Sequence, residues 1–315
     1  MTRLILSTSN IMNGVSSIIR RNGGEKSNQE LVNSLRTNFT AAQQDYSPPL
    51  SASPTPPVDG EQEKTKAPSR PATSIWTTRD HGDLYIPTID WALSGLAEER
   101  SQYDITVKLF FLPKASLEDR EQITKDAVDL VLKELGIETI DLLIVSFYGM
   151  SFDGDCEYAA DQKNSEQGND EEELATWPTM EALYEKGVVK KLGIAEFGSE
   201  KLSKFMSKVK VRPVVDQINV RDCCNVPPPL IQLAKKEKLE LLTHNDCSEI
   251  LPGGTLRELL GQGPNGAGVI SELKRSADGS TSEITPKWVA KYTAVVRDRG
   301  VVENKGYFAA AELAE

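Results

Sequence analysis

The chain has 315 residues, enough for one large domain or two small ones. Its 47 acidic residues outnumber its 36 basic residues, and the net charge of −11 argues against a broad basic face for nucleic acid or an anionic membrane. Four irregularly spaced cysteines do not resemble a disulfide framework. No apolar run reaches the roughly 18 residues of a membrane span, and the first residues are too polar for a secretory signal. We therefore expect a cytoplasmic protein without membrane contact.

Three stretches have the composition of disordered insertions: 45–75, 153–173 and 261–283. The first holds seven of the seventeen prolines, and residues 151–175 hold nine acids and one lysine, a local net charge of −8. Such segments lack the apolar side chains that would offset the entropy lost on ordering. We predict a single domain over residues 1–315 with these three segments as surface loops.

The first half of the chain alternates short apolar runs with amphipathic stretches. "LILST" opens the chain as a predicted strand, and "SNQELVNSL" follows as a helix with Ser27 and Glu30 spaced as a capping box. A weak strand signal lies around Ile75 and Trp76, and "YDITVKLFFL" is a clear strand. The stretch "SLEDREQITKDAVDLVLKELG" has apolar residues at helical spacing and a glycine at its end, which predicts a helix.

The same alternation continues to the end of the chain. The predicted strands are "TIDLLIVSF", "VKKLGIAEF", "PVVDQINV", "LELLTH" and "VVEN". The predicted helices are "PTMEALYEKG", "SEKLSKFMSKV", "PLIQLAKKE" and "PKWVAKYTAVVRDRG". Strands and helices that alternate along the chain indicate an α/β fold with a parallel sheet. The number of predicted strands favours an eight-stranded (β/α)8 TIM barrel over an open doubly wound sheet. No Gly-x-Gly-x-x-Gly turn follows the first strand, so a Rossmann dinucleotide site has no support.

Four motifs stand out from about residue 100 onward: "VKLF", "LGIETIDLLIVS", "LYEKGVVKKLGIAEF" and "DQINV". Together they resemble the aldo-keto reductase superfamily. Two longer blocks, "QINVRDCCNVPPPLIQLAKKEKLELLTHND" and "WVAKYTAVVRDRGVVENKGY", resemble one branch of it, the modifier (regulatory) subunits of glutamate–cysteine ligase. The opening "LILSTSNIMNG" is similar to the start of that family too.

The resemblance implies a non-catalytic protein that forms a heterodimer with the catalytic subunit of glutamate–cysteine ligase. Such subunits improve the partner's use of glutamate and weaken feedback inhibition by glutathione in the first step of glutathione synthesis. ATP and magnesium belong to the catalytic partner. A modifier of this kind has to bind one conformation of its partner better than another.

The alternative is an active NADPH-dependent reductase for small carbonyl substrates. Reductases of the superfamily use a tyrosine acid supported by an aspartate, a lysine and a histidine. The resemblance places Lys108 at the lysine position and Ser146 where the histidine should stand, and a serine cannot replace an imidazole. Asp80 and Tyr85 have the spacing of the remaining pair, although their flanking residues match poorly. We expect a vestigial reductase site without turnover.

The cofactor positions implied by the resemblance are eroded as well. Ala195 and Glu196 stand where reductases hold the nicotinamide amide with a serine and an asparagine, and a carboxylate offers only acceptors there. Gln217 is kept, while His244 replaces the tyrosine that would stack on the ring. Gln217 and Lys305 are candidate remnants of an NADPH site, and we expect no cofactor of the chain's own beyond residual NADPH binding.

One short span holds Cys223, Cys224, His244, Asp246 and Cys247. Adjacent residues of an extended segment point in opposite directions, so the two neighbouring cysteines cannot easily chelate one ion, and a zinc site would need four ligands. A cysteine nucleophile would need a base such as His244. Cysteines also pack as small apolar side chains. We expect no metal, and the nucleophile and packing alternatives stay open.

The interpretation that we favour is a docking surface for the partner, because these segments follow predicted strands and so lie at the C-terminal rim of the barrel. The prolines make a stiff loop, which loses little entropy on capture. The predicted docking residues are Cys223, Cys224, Pro227, Pro228, His244, Asn245 and Asp246. A disulfide from one of the cysteines to the partner is a further expectation.

Overall fold

A computed structural model describes residues 1–13, 27–46, 70–152, 158–219, 226–247, 249–270 and 283–314. One mixed sheet of ten strands runs through the molecule. The strands are β1 Thr2–Ser7, β2 Thr78–Asp80, β3 Asp83–Ile86, β4 Tyr103–Phe111, β5 Leu142–Ser146, β6 Leu192–Ala195, β7 Val215–Asn219, β8 Glu240–His244, β9 Ile284–Val296 and β10 Val301–Leu313. The helices are α1 Ser27–Asp45, α2 Thr73–Trp76, α3 Arg120–Leu135, α4 Tyr158–Ser165, α5 Asp170–Glu185, α6 Ser199–Met206, α7 Pro228–Glu237 and α8 Thr255–Leu260.

The hydrogen-bonded strand order is β2-β3-β1-β10-β9-β4-β5-β6-β7-β8. Strands β4 to β8 pair in parallel, each with the next, as the alternating pattern predicts. A long β9–β10 hairpin stands between β1 and β4 and is antiparallel to both. The α/β class and the parallel succession are therefore confirmed, and the hairpin is an addition to the eight-unit pattern that the sequence did not indicate.

The predicted helix at "PKWVAKYTAVVRDRG" is wrong, because these residues form most of strand β9. The segment pairs with β10 on one side and with β4 on the other, so both edges of its backbone are hydrogen-bonded. It is rich in valine, tyrosine, threonine and tryptophan, which favour a pleated and buried environment. The predicted strand "VVEN" is only the beginning of the longer β10.

Two of the predicted disordered insertions contain ordered structure. Residues 158–173 belong largely to α4 and α5, although 153–157 lie outside the described residues. Ala267, Val269 and Ile270 are buried, while 271–282 also lie outside the described part. Most of the first insertion, 47–69, is outside it too. The weak strand signal around residue 75 is wrong, because that segment is the short helix α2.

Side chains of β4 alternate between two apolar layers, as the two-residue period of a strand requires. One layer packs β4 against α3, α5 and α6 through Val107, Leu109, Val131, Trp177 and Phe205. The other packs the sheet against α1 and α8 through Phe110, Val289, Tyr307, Leu35 and Leu259.

The predicted helix after β4 forms α3, and it ends where expected. Gly136 is the C-terminal cap, with a left-handed φ of 61°, and its N–H bonds to carbonyls of the last turn. Glycine suits this position because it has no Cβ to clash. No helix among the described residues is long and apolar enough to cross a bilayer.

Candidate functional site

A group of buried charged side chains lies where β4, β8 and β9 meet. Lys108 on β4 stands directly opposite Lys291 on β9. Both amino groups donate to Asp246, which follows β8: Lys108 Nζ to Oδ2 over 2.9 Å and Lys291 Nζ to Oδ1 over 2.8 Å. Asp246 is 3 % exposed and Lys108 is 4 % exposed. One carboxylate thus binds two lysines. We call Lys108, Lys291 and Asp246 together the lysine–aspartate cluster.

The pKa values in the lysine–aspartate cluster follow from burial and from the opposite charges. Burial alone would raise the pKa of Asp246, but the charges of Lys108 and Lys291 outweigh it and hold that pKa well below its usual range. Burial lowers the pKa of Lys108, and Asp246 opposes this change only in part. The carboxylate of Asp246 and the ammonium group of Lys108 therefore stabilise each other's charged form. Removing either side chain leaves the other as a buried charge without its counter-ion.

His244 connects this cluster to the loop after β6. Its Nδ1 accepts a hydrogen bond from the Asp246 backbone N–H over 3.0 Å. Its Nε2 lies 2.5 Å from Glu196 Oε1. Glu196 Oε2 accepts from the Phe152 N–H over 2.7 Å. Glu196 itself has a left-handed φ of 67°, a conformation that costs free energy for a residue other than glycine.

A buried carboxyl group lies next to this loop on β7. Asp216 is 0 % exposed, and neither of its carboxyl oxygens has an aligned hydrogen-bond partner among the described residues. Burial, followed by the negative charge of Glu196, raises the pKa of Asp216 well above its usual value. The carboxyl group is therefore neutral over part of the pH range in which an exposed aspartate is charged. The sequence feature that could have identified this buried carboxyl group is an acidic residue inside a predicted apolar strand.

Helix α4, predicted as part of a disordered insertion, packs on the loop after β6. The Asn164 carboxamide donates to the Glu196 carbonyl over 2.7 Å and accepts from the Gly198 N–H over 2.6 Å. Asp161 accepts from the Ser199 N–H over 2.6 Å. A Cβ on Gly198 would come within 2.2 Å of Asp161 Oδ1, so only glycine permits this approach. Sequence reasoning missed these contacts because the acidic composition suggested a solvated loop.

The four vestigial reductase residues do not come together. Tyr85 lies on β3, and strands β1, β10 and β9 separate it from Lys108 on β4. Four strand spacings amount to about 19 Å along the sheet. Asp80 is exposed at the end of β2, and Ser146 ends β5 opposite Phe110. A tyrosine acid with its supporting lysine is therefore not assembled in this structure.

The residues at the implied cofactor positions do not fit a nicotinamide held as reductases hold it. Gln217 would suit the group, because its buried Oε1 has no hydrogen-bond partner among the described residues and could accept from a carboxamide. Glu196 presents an acceptor where a donor is needed, and it already contacts His244. Lys305 lies 2.5 Å from Glu30 Oε1. Lys108 is bound to Asp246.

The predicted docking residues divide into three groups. Cys223 and Cys224 lie outside the described residues. Asn245 and Pro228 are exposed, whereas Pro227 is buried as the residue before α7. His244 and Asp246, which were predicted to offer hydrogen bonds to a partner, have side chains that are 7 % and 3 % exposed and bind other groups of the same chain. They fix the loop that presents Asn245.

The remaining member of the cysteine–histidine span is half-buried. The Cys247 N–H donates to Ser27 Oγ over 2.9 Å, and its sulfur lies 3.5 Å from Asn28 Oδ1 at the start of α1. The residue packs between the loop after β8 and α1. The imidazole of His244 contacts Glu196 and Asp246. Within the described ranges, no group of three or more histidine, cysteine or acidic side chains could hold a metal ion.

Comparison with known proteins decides the family. The family model of the aldo/keto reductase family matches residues 80–302. The chain belongs to the aldo/keto reductase family. The predicted aldo-keto reductase type of α/β fold is thereby confirmed.

Similar proteins within and around this family include regulatory subunits as well as reductases. The chain is 24 % identical over 235 residues to the human glutamate–cysteine ligase regulatory subunit, covering 74 % of this chain and 76 % of the human protein. It is 24 % identical over 217 residues to a Saccharomyces cerevisiae NADPH-dependent alpha-keto amide reductase, covering 67 % and 62 %. The aldose reductase structure from Schistosoma japonicum shares 20 % identity with a TM-score of 0.32, covering 54 % and 50 %. The predicted resemblance to the regulatory subunits is confirmed.

Proposed function

We propose that this chain is the regulatory subunit of a glutamate–cysteine ligase. It binds the catalytic subunit as a heterodimer, improves that subunit's use of glutamate and relieves its inhibition by glutathione. ATP and magnesium are bound by the catalytic subunit. The chain itself carries out no reaction, uses no cofactor and works in the cytoplasm.

The observation that carries this proposal is the separation of Lys108 from Tyr85 along the sheet. A reductase needs its lysine beside the tyrosine, so that the lysine lowers the tyrosine pKa and the tyrosine can protonate the substrate carbonyl. Here Lys108 Nζ is 2.9 Å from Asp246 Oδ2, and Tyr85 is four strands away along the sheet. The similarity to the human regulatory subunit over 74 % of this chain supports the same conclusion.

The structure suggests why such a protein keeps charged residues at a former active site. Glu196, His244 and Asp246 connect the loops after β6 and β8, and Asn164 connects the loop after β6 to α4. A rim held together in this way loses little conformational entropy when a partner binds it. We propose that Asn245 and Pro228 contact the partner directly, together with Cys223 and Cys224, and that His244 and Asp246 act by positioning this loop.

Regulation requires that the chain bind two conformations of the catalytic subunit with different affinities. A change of 5- to 150-fold in ligand affinity corresponds to about 1–3 kcal/mol of coupling. Because coupling is reciprocal, glutamate should strengthen the complex and glutathione should weaken it by the same factors.

Co-elution and an inhibition curve test the proposal. The chain is mixed with the catalytic subunit of its own organism and passed over a size-exclusion column, and glutathione inhibition of the ligase is measured with and without it. We expect one heterodimeric peak and a shift of half-inhibition to higher glutathione. Separate elution at micromolar concentration together with an unchanged inhibition curve would rule the proposal out.

A further inference from the structure

One edge of the sheet is basic, although the chain as a whole is acidic. The segments that lead into β6, β7 and β8 are residues 181–191, 207–212 and 235–240, and together they hold nine basic residues and four acidic ones. Because β6, β7 and β8 are parallel neighbours, the three segments meet at the edge formed by the N-terminal ends of these strands. Their combined charge of +5 contrasts with −11 for the whole chain.

Five exposed lysines of these segments form no ion pair with any side chain that the structure describes. They are Lys186, Lys191, Lys208, Lys235 and Lys238, which we call the basic edge. The other four bases of the segments are each paired with a carboxylate of the chain. The exposed acids nearby that have no ion pair are Glu240 and, in the loop before β5, Glu138. The chain therefore leaves most of the positive charge of the basic edge unneutralised.

Two lysines of the basic edge flank an exposed apolar side chain. Lys191 directly precedes β6 and Lys238 comes two residues before β8, while Val214 directly precedes β7, the strand between them. Two strand spacings separate the backbones of the two lysines by about 10 Å. Val214 is 42 % exposed, so an apolar surface lies between two positive charges.

Tyr184 adds an exposed aromatic side chain to the same edge. It is 42 % exposed in the last turn of α5 and lies one turn beyond Glu181 on the same helix face. Glu181 accepts hydrogen bonds from the backbone N–H groups of Lys210 and Val211, each over 2.8 Å, so this face of α5 contacts the loop before β7. Exposed apolar side chains with a charged surround mark interaction sites, and tyrosine is enriched among the residues that dominate binding energy at interfaces.

The segments that carry the basic edge are held by contacts within the chain. Trp177 Nε1 donates to the Val211 carbonyl over 2.8 Å, which joins α5 to the loop before β7. Arg212 donates to Glu237 over 3.2 Å, which joins the same loop to α7. A surface whose shape is set before a partner arrives loses little entropy on binding.

The helix dipole explains only part of this pattern. Helices α5 and α7 end at this edge, and lysines are favoured near helix C-termini, which accounts for Lys186 and Lys238. Lys191 precedes a strand instead, and the exposed side chains of Tyr184 and Val214 gain nothing from a dipole. Unneutralised lysines around exposed apolar side chains are complementary to a peptide that combines acidic residues with an apolar side chain.

We propose that the basic edge binds an acidic peptide segment of the ligase catalytic subunit, with Tyr184 and Val214 as its apolar contacts. This inference rests on the proposed function and adds a second contact surface and the charge of the segment that it binds. The basic edge lies at the other end of β8 from Asn245, about 16 Å away along a five-residue strand, so one partner can contact both surfaces.

A charge reversal tests the electrostatic part of the proposal. Lys191→Glu combined with Lys235→Glu should lower the association rate with the purified catalytic subunit about tenfold at low ionic strength, and the difference should shrink as salt is added. Stopped-flow fluorescence measures the rates. Arg79→Glu combined with Lys114→Glu is the matched control, because it changes the net charge equally at exposed positions on β2 and after β4. The control should associate within about twofold of the wild-type rate.

A pair of tyrosine substitutions tests the apolar part. Tyr184→Ala should raise the dissociation rate of the complex at least about fivefold, because it removes an apolar contact of the bound segment. Tyr148→Ala is the matched control: Tyr148 is 51 % exposed but follows β5, at the opposite edge of the sheet. Equal dissociation rates for the two variants would remove Tyr184 from the contact.

The outcomes separate this proposal from the proposed function. Wild-type binding in which the charge-reversal variant associates as fast as its control would overturn the role of the basic edge and leave the proposed function standing. No wild-type binding at all would overturn both. Self-association of the chain alone that disappears in the Lys191→Glu and Lys235→Glu variant, measured by light scattering, would assign the edge to a second copy and overturn the proposal as well.

Discussion

Asp246 lies between Lys108 and Lys291, which face each other across β4 and β9, and it accepts a hydrogen bond from each. The three residues are brought together from positions far apart in the chain. The buried ammonium group of Lys108 and the partly buried one of Lys291 share this carboxylate. The lysine that the reductase pattern marks as catalytic thus forms a buried ion pair with Asp246.

Asp246→Asn should destabilise the protein by about 3 kcal/mol, because it leaves two largely buried lysines without their counter-charge. Urea unfolding at pH 7 measures the effect. Asp298→Asn, in the exposed turn between β9 and β10, is the matched control and should change stability by less than about 0.5 kcal/mol. Equal stability of the two variants would show that the cluster contributes no net attraction.

Acid should remove the contribution that the Asp246 ion pairs make to the stability of the folded protein. Its pKa is lower in the folded protein than the roughly 3.9 of an unfolded aspartate, so the stabilisation is complete above that value. It is lost as the pH falls below about 4 and through the folded pKa. Unfolding at pH 2–5 should show a steeper loss of stability in the wild type than in Asp246→Asn. Parallel curves would contradict the ion-pair assignment.

Asp216 should produce the opposite pH dependence. Its pKa is raised by burial, so the folded state binds more protons than the unfolded state above pH of about 4. Stability from this residue is greatest below the unfolded pKa and declines as the pH rises toward the folded pKa. Asp216→Asn should flatten the decline over the range above pH of about 4. If the wild type and the variant lose stability equally over that range, the carboxyl group is not held neutral.

Asn164→Ala should loosen α4 from the loop after β6. The Asn164 carboxamide joins α4 to the Glu196 carbonyl and the Gly198 N–H. Its loss leaves these backbone groups without a hydrogen-bond partner, which costs about 1–3 kcal/mol of stability. Hydrogen exchange at residues 196–199 should speed up. Gln162→Ala, on the exposed side of the same helix, should leave that exchange unchanged. Unchanged exchange in both variants would mean that α4 does not restrain this loop.

The chain should not oxidise NADPH in the presence of aldehydes. Tyr85 lies four strands from Lys108, and Ser146 provides no imidazole, so the proton donor and its support are not assembled. A sensitive fluorescence assay of the wild type and Tyr85→Phe should give the same background rate. Aldehyde-dependent oxidation that disappears in Tyr85→Phe would restore the reductase interpretation.

Local patterns in the sequence predicted much of the fold. The helix that ends at Gly136 and the strands β4 to β8 were found because each has a complete apolar period and a clear end. Strand β9 was missed because its state depends on pairing with β4 and β10, which no local window reports. The acidic composition around α4 hid the two buried polar residues, Asp161 and Asn164, that attach it to the molecule.

The sequence indicated the members of the site better than their connections. Lys108 and Asp246 were both singled out, but their pairing spans 138 positions and depends on how the sheet is assembled. Lys291 was missed because it lies on a strand that was predicted as a helix. His244 and Asp246 were expected at the surface, since a motif places residues on a loop without showing which way their side chains point.

We propose that this member of the aldo/keto reductase family, with its reductase residues dispersed or engaged, binds and biases a ligase. The most direct test measures the rate of the catalytic subunit at limiting glutamate while this chain is titrated in. We expect a saturable rise in rate that reaches half its maximum at the dissociation constant measured by calorimetry for the same two proteins, for the wild type and for Tyr85→Phe alike. A rate that stays flat over the range in which binding would saturate would contradict it.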